Sequence, residues 1–383
     1  MLYPIYLDYM STTPVDKRVL KEMIPYLGGI KSKNFGNASS KHYYGYRINT
    51  AIEIARAKVA RLVNCDINNI VWTSGATEAN NLAIKGISLF YAHQGKHIIT
   101  SKIEHKSVLE SCKYLENNGF EVTYLSPEKD GLIDINKLNN ALKQDTILIS
   151  IMHVNNEIGV IQNISEIGQI AHSKGILFHV DAAQSLGKIP INLQDLHIDL
   201  MTFSGHKIYG PKGIGALYIR KESNLHLLSQ MNGGFQENGL RAGTLATHQI
   251  VGMGAACQIA MQEMEEDEKK ILALSKKLWK IINDIGDIQI NGSLSKRISG
   301  NINIIIKGIN NEVLLSSLYD IAISKMSSCI LNNESSHVLK AIGISDNLIE
   351  NSIRISIGKF TTKHEIMFVG KRLKEVIFAL RKT

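Results

Sequence analysis

Residues 199–220 read DLMTFSGHKIYGPKGIGALYIR. Two apolar, strand-like runs, DLMTF and GALYIR, enclose a loop punctuated by Gly205, Gly210, Pro211 and Gly213. In that loop Lys207 stands between Ser-Gly-His and a tyrosine. A lysine is by default a solvated surface charge. At a strand end, in a Gly- and Pro-rich loop, it also occupies the kind of position where α/β proteins place chemistry. The flanking sequence decides whether such a sheet exists.

From about residue 47 to residue 255 the pattern alternates. RINTAIEIARAKVARLV has helical periodicity and leads into NIVWTSG; a helix from Ala76, HIITS, a helix from Lys106 and EVTYLS follow. IDINKLNNALKQ, TILISIMHV, a helix from Ile164 and ILFHVDAAQ complete the run up to DLMTFSG. Short apolar runs alternating with helices predict a mainly parallel sheet covered on both faces. Ligands of such sheets bind outside the carboxyl ends of the strands. After about residue 256 the texture changes to the charged helical stretch EEDEKKILALSKKLWKIINDI, then to INIIIKG and SIRISIG as strand candidates. The expected fold class is α/β, with a large domain over 15–255. A smaller α+β domain is expected from 256–383 together with 1–14.

Composition narrows the function. Hydrophobic residues make up 44% and charged residues 20% of the 383, as in ordinary globular proteins. No run approaches the roughly 18 apolar residues of a membrane span. MLYPIYLDYM lacks a basic flank and meets an acid at Asp8, unlike a secretory signal. A cytoplasmic protein is expected. The net charge of +8 comes from scattered residues, and KRLKEVIFALRK reads as an amphipathic helix, so direct nucleic-acid binding is not expected. The four cysteines, Cys65, Cys112, Cys257 and Cys329, form no C-x-x-C pair, and neither a disulfide framework nor a metal site is expected. The first three lie in helical, partly apolar contexts and read as small hydrophobes; Cys329 does not.

Four groups stand at the expected strand ends. TSGATEANN (73–81) runs from a strand through glycine into a helix, so the N–H groups of Ala76 and Thr77 can seat an anion; the same residues also suit an ordinary helix cap. His105 in SKIEHKS fits a catalyst, a cap or a packed ring. HVDAAQS puts Asp181 at the end of a buried strand, with Gln184 one turn on; a carboxylate there needs a positive or hydrogen-bonding partner. The fourth is the loop with Ser204, His206 and Lys207. One ligand uses all four groups. Pyridoxal 5′-phosphate needs a lysine for its Schiff base, a carboxylate for its pyridinium nitrogen and a seat for its phosphate. Burial and cationic neighbours would lower the Lys207 pKa and let it shuttle protons.

Taken in order, DYMSTTPVD, TSGATEANNLAIKG, HVNNEIGV, HVDAAQS, TFSGHKIYGPKG, GLRAGT and SIRISIGKFTT resemble the cysteine desulfurases of the IscS/NifS type, which are class V, fold-type I pyridoxal-phosphate enzymes. The resemblance runs almost end to end. It implies a seven-stranded sheet between helices and a smaller second domain. It implies Lys207 as the Schiff-base lysine, Asp181 as partner of the ring nitrogen, His105 as stacking acid/base and Gln184 as partner of the ring hydroxyl. Thr77, Ser204 and His206 become phosphate ligands. Thr244 reaches the phosphate of the other subunit of a homodimer. Asn156 and Arg354 look like contacts to the substrate carboxylate, for which a guanidinium fork is suited.

The implied reaction turns L-cysteine into L-alanine and leaves the sulfur as a persulfide on Cys329, within ISKMSSCILNN. An iron-sulfur scaffold protein and other acceptors would take it onward, including toward transfer RNA thiolation. Three departures from the family pattern stand out. Lys325 and Met326 replace small residues, and Ile330 and Leu331 follow the cysteine, where the family reads close to SSGSACTS. GNASSKH (36–42) lacks a proline and one residue. The sequence stops at Thr383, before the tail that longer relatives use for scaffold binding. Turnover and scaffold docking are where differences from the family are expected. A selenocysteine lyase, a related transaminase and a catalytically degenerate structural partner are the competing readings.

Overall fold

The computed structural model describes residues 3–221, 225–325 and 335–382. A two-residue strand β1 (Ile5–Tyr6) and helix α1 (Lys17–Met23) open the chain, and helix α2 (Tyr43–Leu62) leads to β2 (Ile70–Thr73). Helices and strands then alternate: α3 (Ala76–Phe90), β3 (His97–Ser101), α4 (Lys106–Glu116), β4 (Glu121–Leu125), α5 (Ile135–Ala141), β5 (Thr146–Met152), α6 (Ile164–Ser173) and β6 (Leu177–Asp181). β7 (Leu200–Ser204) and β8 (Gly215–Ile219) enclose the Lys207 loop.

These strands make one seven-stranded sheet in the order β2-β8-β7-β6-β5-β3-β4. Only β8 runs antiparallel to its neighbours. Every residue of β5 is buried, as both faces of a covered sheet require. The period of two separates the faces. Ile70, Trp72, Ala216 and Tyr218 pack with α2, α6 and the start of a long helix, whereas Val71, Leu217 and Ile219 pack with α3 and α4. The sequence-expected strands all fall on strands, and the mainly parallel seven-stranded sheet is as expected.

The long helix, α7 (Thr247–Asn283), has 37 residues and is about 55 Å long at the usual rise. Its Ile250–Cys257 end belongs to the core under the large sheet, and Leu274, Leu278 and Ile282 belong to a second core. The helix therefore begins nine residues before the change of texture at 256, and runs through it unbroken. The charged run marks the solvent-exposed middle of α7 and not its start.

The second core is built on a three-stranded antiparallel sheet of β9 (Ile288–Ile290), β10 (Asn301–Ile306) and β12 (Ser352–Ser356), with β10 in the middle. β11 (Ile321–Ala322) pairs in parallel with β1, and Asp8 bridges to Ser356. The C-terminal helix Lys363–Leu380 covers it, started by a capping box between Thr362 and Glu365. Among the described residues no helix is long and apolar enough to cross a membrane.

Candidate active site

Lys207 ends a short turn, Gly205–Lys207, directly after β7. The turn is tight because Gly205 N donates to Ile214 O at 3.0 Å while Gly210 N donates to Gly205 O at 3.0 Å. Tyr209, two residues on, has φ +64°, a strained value for a residue with a side chain. Three contacts hold it: Tyr209 N to Thr13 Oγ1 at 2.8 Å, Asp16 N to Tyr209 O at 3.0 Å, and Lys359 N to its hydroxyl at 2.8 Å. The Lys207 ammonium donates to the carbonyls of Met10 (2.7 Å) and Ser11 (2.6 Å).

That lysine lies in the wall of a cavity of about 370 Å³ at the carboxyl ends of β5, β6 and β7. The same wall carries Ala76, Thr77, His105, Asn156, Asp181, Gln184, Ser204, His206 and Arg354. Ten of the twelve sequence-derived site residues thus meet at one place. Thr244 is exposed, in the segment before α7, and does not line the cavity. Cys329 lies outside the described residues.

The anion seat is open. Gly75 is the N-cap of α3 and no side chain caps the helix, which excludes the ordinary-cap reading of TSGAT. A methyl group placed on Gly75 would meet nothing within 4 Å. Gly215 keeps this turn against the sheet: its Cβ would fall 2.6 Å from Phe203 O and 2.7 Å from Gly75 Cα. Ser204 is 1% exposed, and its hydroxyl has no hydrogen bond among the described residues.

Asp181 is 5% exposed. It accepts from Ala183 N at 2.9 Å and Asn80 Nδ2 at 2.8 Å, both neutral donors. Asn80 also donates to Ser107 Oγ (2.8 Å), which lies 2.8 Å from His105 Nδ1. His105 is both a cap and a cavity residue: Nδ1 accepts from Ser107 N at 3.1 Å, so a neutral ring carries its proton on Nε2. His206 Nδ1 is 3.0 Å from Thr12 Oγ1. Burial, then Lys207, Lys212 and Lys188, pull His206 down to about 4, leaving it neutral near pH 7.

Arg354 is 1% exposed and donates to Asn156 O (2.7 Å), Asp8 Oδ1 (2.8 Å) and Ser11 Oγ (2.6 Å), while its buried Nε has no partner. Asp8–Thr13 is therefore common ground for Lys207, His206, Gln184 and Arg354, since Gln184 Nε2 also donates to Met10 O at 2.8 Å. The side chains of this stretch do not mark that role, which falls largely to its carbonyls. Asn80 was missed as well, although its place one helical turn after the anion seat could have flagged it.

The aminotransferase class-V family model matches residues 5–369. A cysteine desulfurase IscS from Colwellia psychrerythraea is 52% identical over 383 residues, covering 100% of this chain and 94% of the relative. A solved NifS-like protein superposes with TM-score 0.91 at 36% identity, over 98% of this chain and 100% of that one. A structure described as SspA in complex with cysteine gives TM-score 0.83 at 39% identity, over 94% and 100%. The chain belongs to the class-V aminotransferases, in their cysteine desulfurase branch. The family uses pyridoxal 5′-phosphate, and the cavity fits it. Asp181 offers a buried negative charge that has only neutral partners, Ser204 offers an unengaged hydroxyl, and the start of α3 offers open N–H groups.

Proposed function

We propose that this chain takes sulfur from L-cysteine onto Cys329, releases L-alanine, and supplies the sulfur to iron–sulfur cluster assembly and to transfer RNA thiolation through acceptor proteins. It does so as a cytoplasmic homodimer in which Thr244 completes the partner's phosphate seat. Residues 15–255 hold the cofactor; 1–14 with 256–383 bring Arg354 and the acceptor thiol. Pyridoxal 5′-phosphate, when bound, supplies the electron-withdrawing ring that weakens the bond between the substrate's β-carbon and its sulfur.

Lys207 is the covalent carrier of that group and, once released, moves a proton at its Nζ. Asp181 balances the charge of the ring nitrogen, and His105 exchanges a proton through Nε2. Ala76, Thr77, Ser204 and His206 hold the phosphate, while Arg354 and Asn156 orient the substrate carboxylate. The Cys329 thiolate attacks the substrate sulfur. A sulfur–sulfur bond forms as the carbon–sulfur bond breaks, and the released electron pair goes to the β-carbon, which takes up a proton to become the methyl group of alanine.

The observation that carries this reading is where the chain on either side of 326–334 is anchored. Ser324 pairs with Arg354 (Ser324 N to Arg354 O 3.1 Å, Arg354 N to Ser324 O 2.8 Å). Beyond the segment, Ser336 Oγ donates to Glu157 Oε2 at 2.5 Å and His337 Nε2 lies 3.0 Å from the carbonyl of Glu104, the neighbour of His105. Arg354 lines the cavity, and Glu157 and Glu104 each adjoin a lining residue, Asn156 and His105. A relative 39% identical to this chain has been solved with cysteine, which supports the substrate. The test is Cys329→Ser. It should keep the visible chromophore and its response to cysteine but lose the persulfide, seen by mass spectrometry after a short cysteine pulse, and nearly all alanine release. Undiminished alanine, or sulfur found on Cys112 or Cys257, defeats the assignment.

A further inference from the structure

Lys188 has no role in the reading above, yet its surroundings are unusual for a lysine. It follows Gly187, whose φ of +66° and close approach to α7 fix the turn: a methyl group there would sit 2.9 Å from Ala260 Cβ and 3.2 Å from Ile208 Cγ2. Lys188 N donates to Ser185 O at 3.0 Å. The side chain is half-buried and makes no ion pair among the described residues. Asp267 and Glu268 of α7, with Tyr9 and Tyr209, line the small cavity it shares, and Lys207 in the β7–β8 loop acts on it as a like charge. Burial, then Lys207, pull the Lys188 ammonium down to about 7. Such an environment penalises the charge, and neither cavity carboxylate is close enough to form an ion pair with it.

Its side-chain hydrogen bond goes to Gln184 Oε1, at 3.1 Å. The Met10 carbonyl only accepts, so it selects Nε2, at 2.8 Å, and leaves Oε1 to accept from the Lys188 amino group. The two contacts anchor opposite ends of one amide that is 4% exposed and lines the main cavity. One hydrogen on Nε2 has no protein partner among the described residues. We infer that Lys188 is a positioning residue, which clamps the Gln184 amide so that this hydrogen is offered to the ring hydroxyl of the bound cofactor. The inference rests on the cofactor reading of the proposed function, together with the ring-hydroxyl role that the family resemblance implies for Gln184.

The experiment is a pH titration of the visible absorbance of the holoenzyme, with no turnover involved. Losing a donor to the ring oxygen favours the protonated chromophore. Lys188→Met should therefore move the midpoint to higher pH, by about one unit, and loosen cofactor retention on dialysis. Gln184→Ala should shift it similarly, and the double variant should go no further than the larger single shift. Lys188→Arg, which keeps a donor, should stay near wild type. If Lys188→Met does not fold, Lys188→Gln replaces it: its amide can still donate without a charge, so its shift should be well below that of Gln184→Ala. Shifts that add in the double variant, or a Lys188→Gln shift equal to that of Gln184→Ala, mean that Lys188 acts by charge alone and overturn the inference. An unshifted Lys188→Met also overturns it. A wild-type holoenzyme without visible absorbance removes the cofactor reading itself, and this inference with it.

Discussion

Replacing Lys207 by alanine would remove the proposed covalent attachment point and leave Asp181, His105 and the start of α3 in place. The wild-type protein, loaded with cofactor and dialysed, should stay yellow, and Lys207→Ala should come out colourless; a variant that keeps the absorbance sinks the assignment. The thiols divide as sharply. Cys112 and Cys257 are 0% exposed, and burial pushes both thiols up, Cys257 to about 12. Neither should take iodoacetamide in the native protein, while both should label after unfolding in urea; native labelling of either, read by mass spectrometry, contradicts the packing described. At this scale the side chains were legible because residues such as Lys207 and Asp181 carry chemistry that a sequence prints. The Met10 and Ser11 carbonyls that hold Lys207 were not, because every residue has a carbonyl and only the fold says which one points where.

The elements transmit strain and protonation to the site. Gly215 starts β8 with no room for a side chain on the Phe203 and Gly75 side. Gly215→Ala should cost about 1–3 kcal/mol through overpacking against backbone and weaken phosphate ester binding by moving the start of α3. Chemical denaturation and equilibrium dialysis measure the two effects, and unchanged values count against the packing argument. β6 carries His179, 0% exposed, between Ser150 Oγ (2.8 Å) and Thr202 Oγ1 (3.1 Å), and His153 follows β5. Burial pulls both rings down to about 4. The unfolded chain takes up these protons near pH 6.5, while the folded one resists until about 4. Stability is therefore present above 6.5 and is lost as pH falls toward 4, by up to about 3 kcal/mol per ring. Urea midpoints at pH 7.5 and 5 should show the fall; equal midpoints refute it. Strands of this kind were legible because buried parallel strands are continuous apolar runs. The true start of α7 was not, since polarity reports exposure and not helix ends.

Across the whole molecule, exposed apolar side chains gather early in the chain: Ile24 (56%), Leu27 (59%), Ile30 (76%), Tyr43 (57%) and Tyr46 (60%), with Phe235 (82%) near the segment that leads to Thr244. In the proposed homodimer these side chains would be available for a second copy to cover, and Thr244 is the residue proposed to reach the partner's phosphate seat. Sedimentation should give a dimer, and Thr244→Val should weaken cofactor retention without splitting it; a monomer that keeps cofactor through dialysis contradicts the assembly. The segment Asp8–Thr13 has a consequence for biosynthesis. It leaves the ribosome well before its partners Gln184, His206 and Lys207, and Arg354 comes 346 residues after Asp8. At roughly 5–20 residues per second the opening segment waits tens of seconds for the last of them. A nascent chain arrested before residue 350 would have a finished large sheet but lack the Arg354 end of the pocket, so a grip on the substrate carboxylate would form only after those residues have been made.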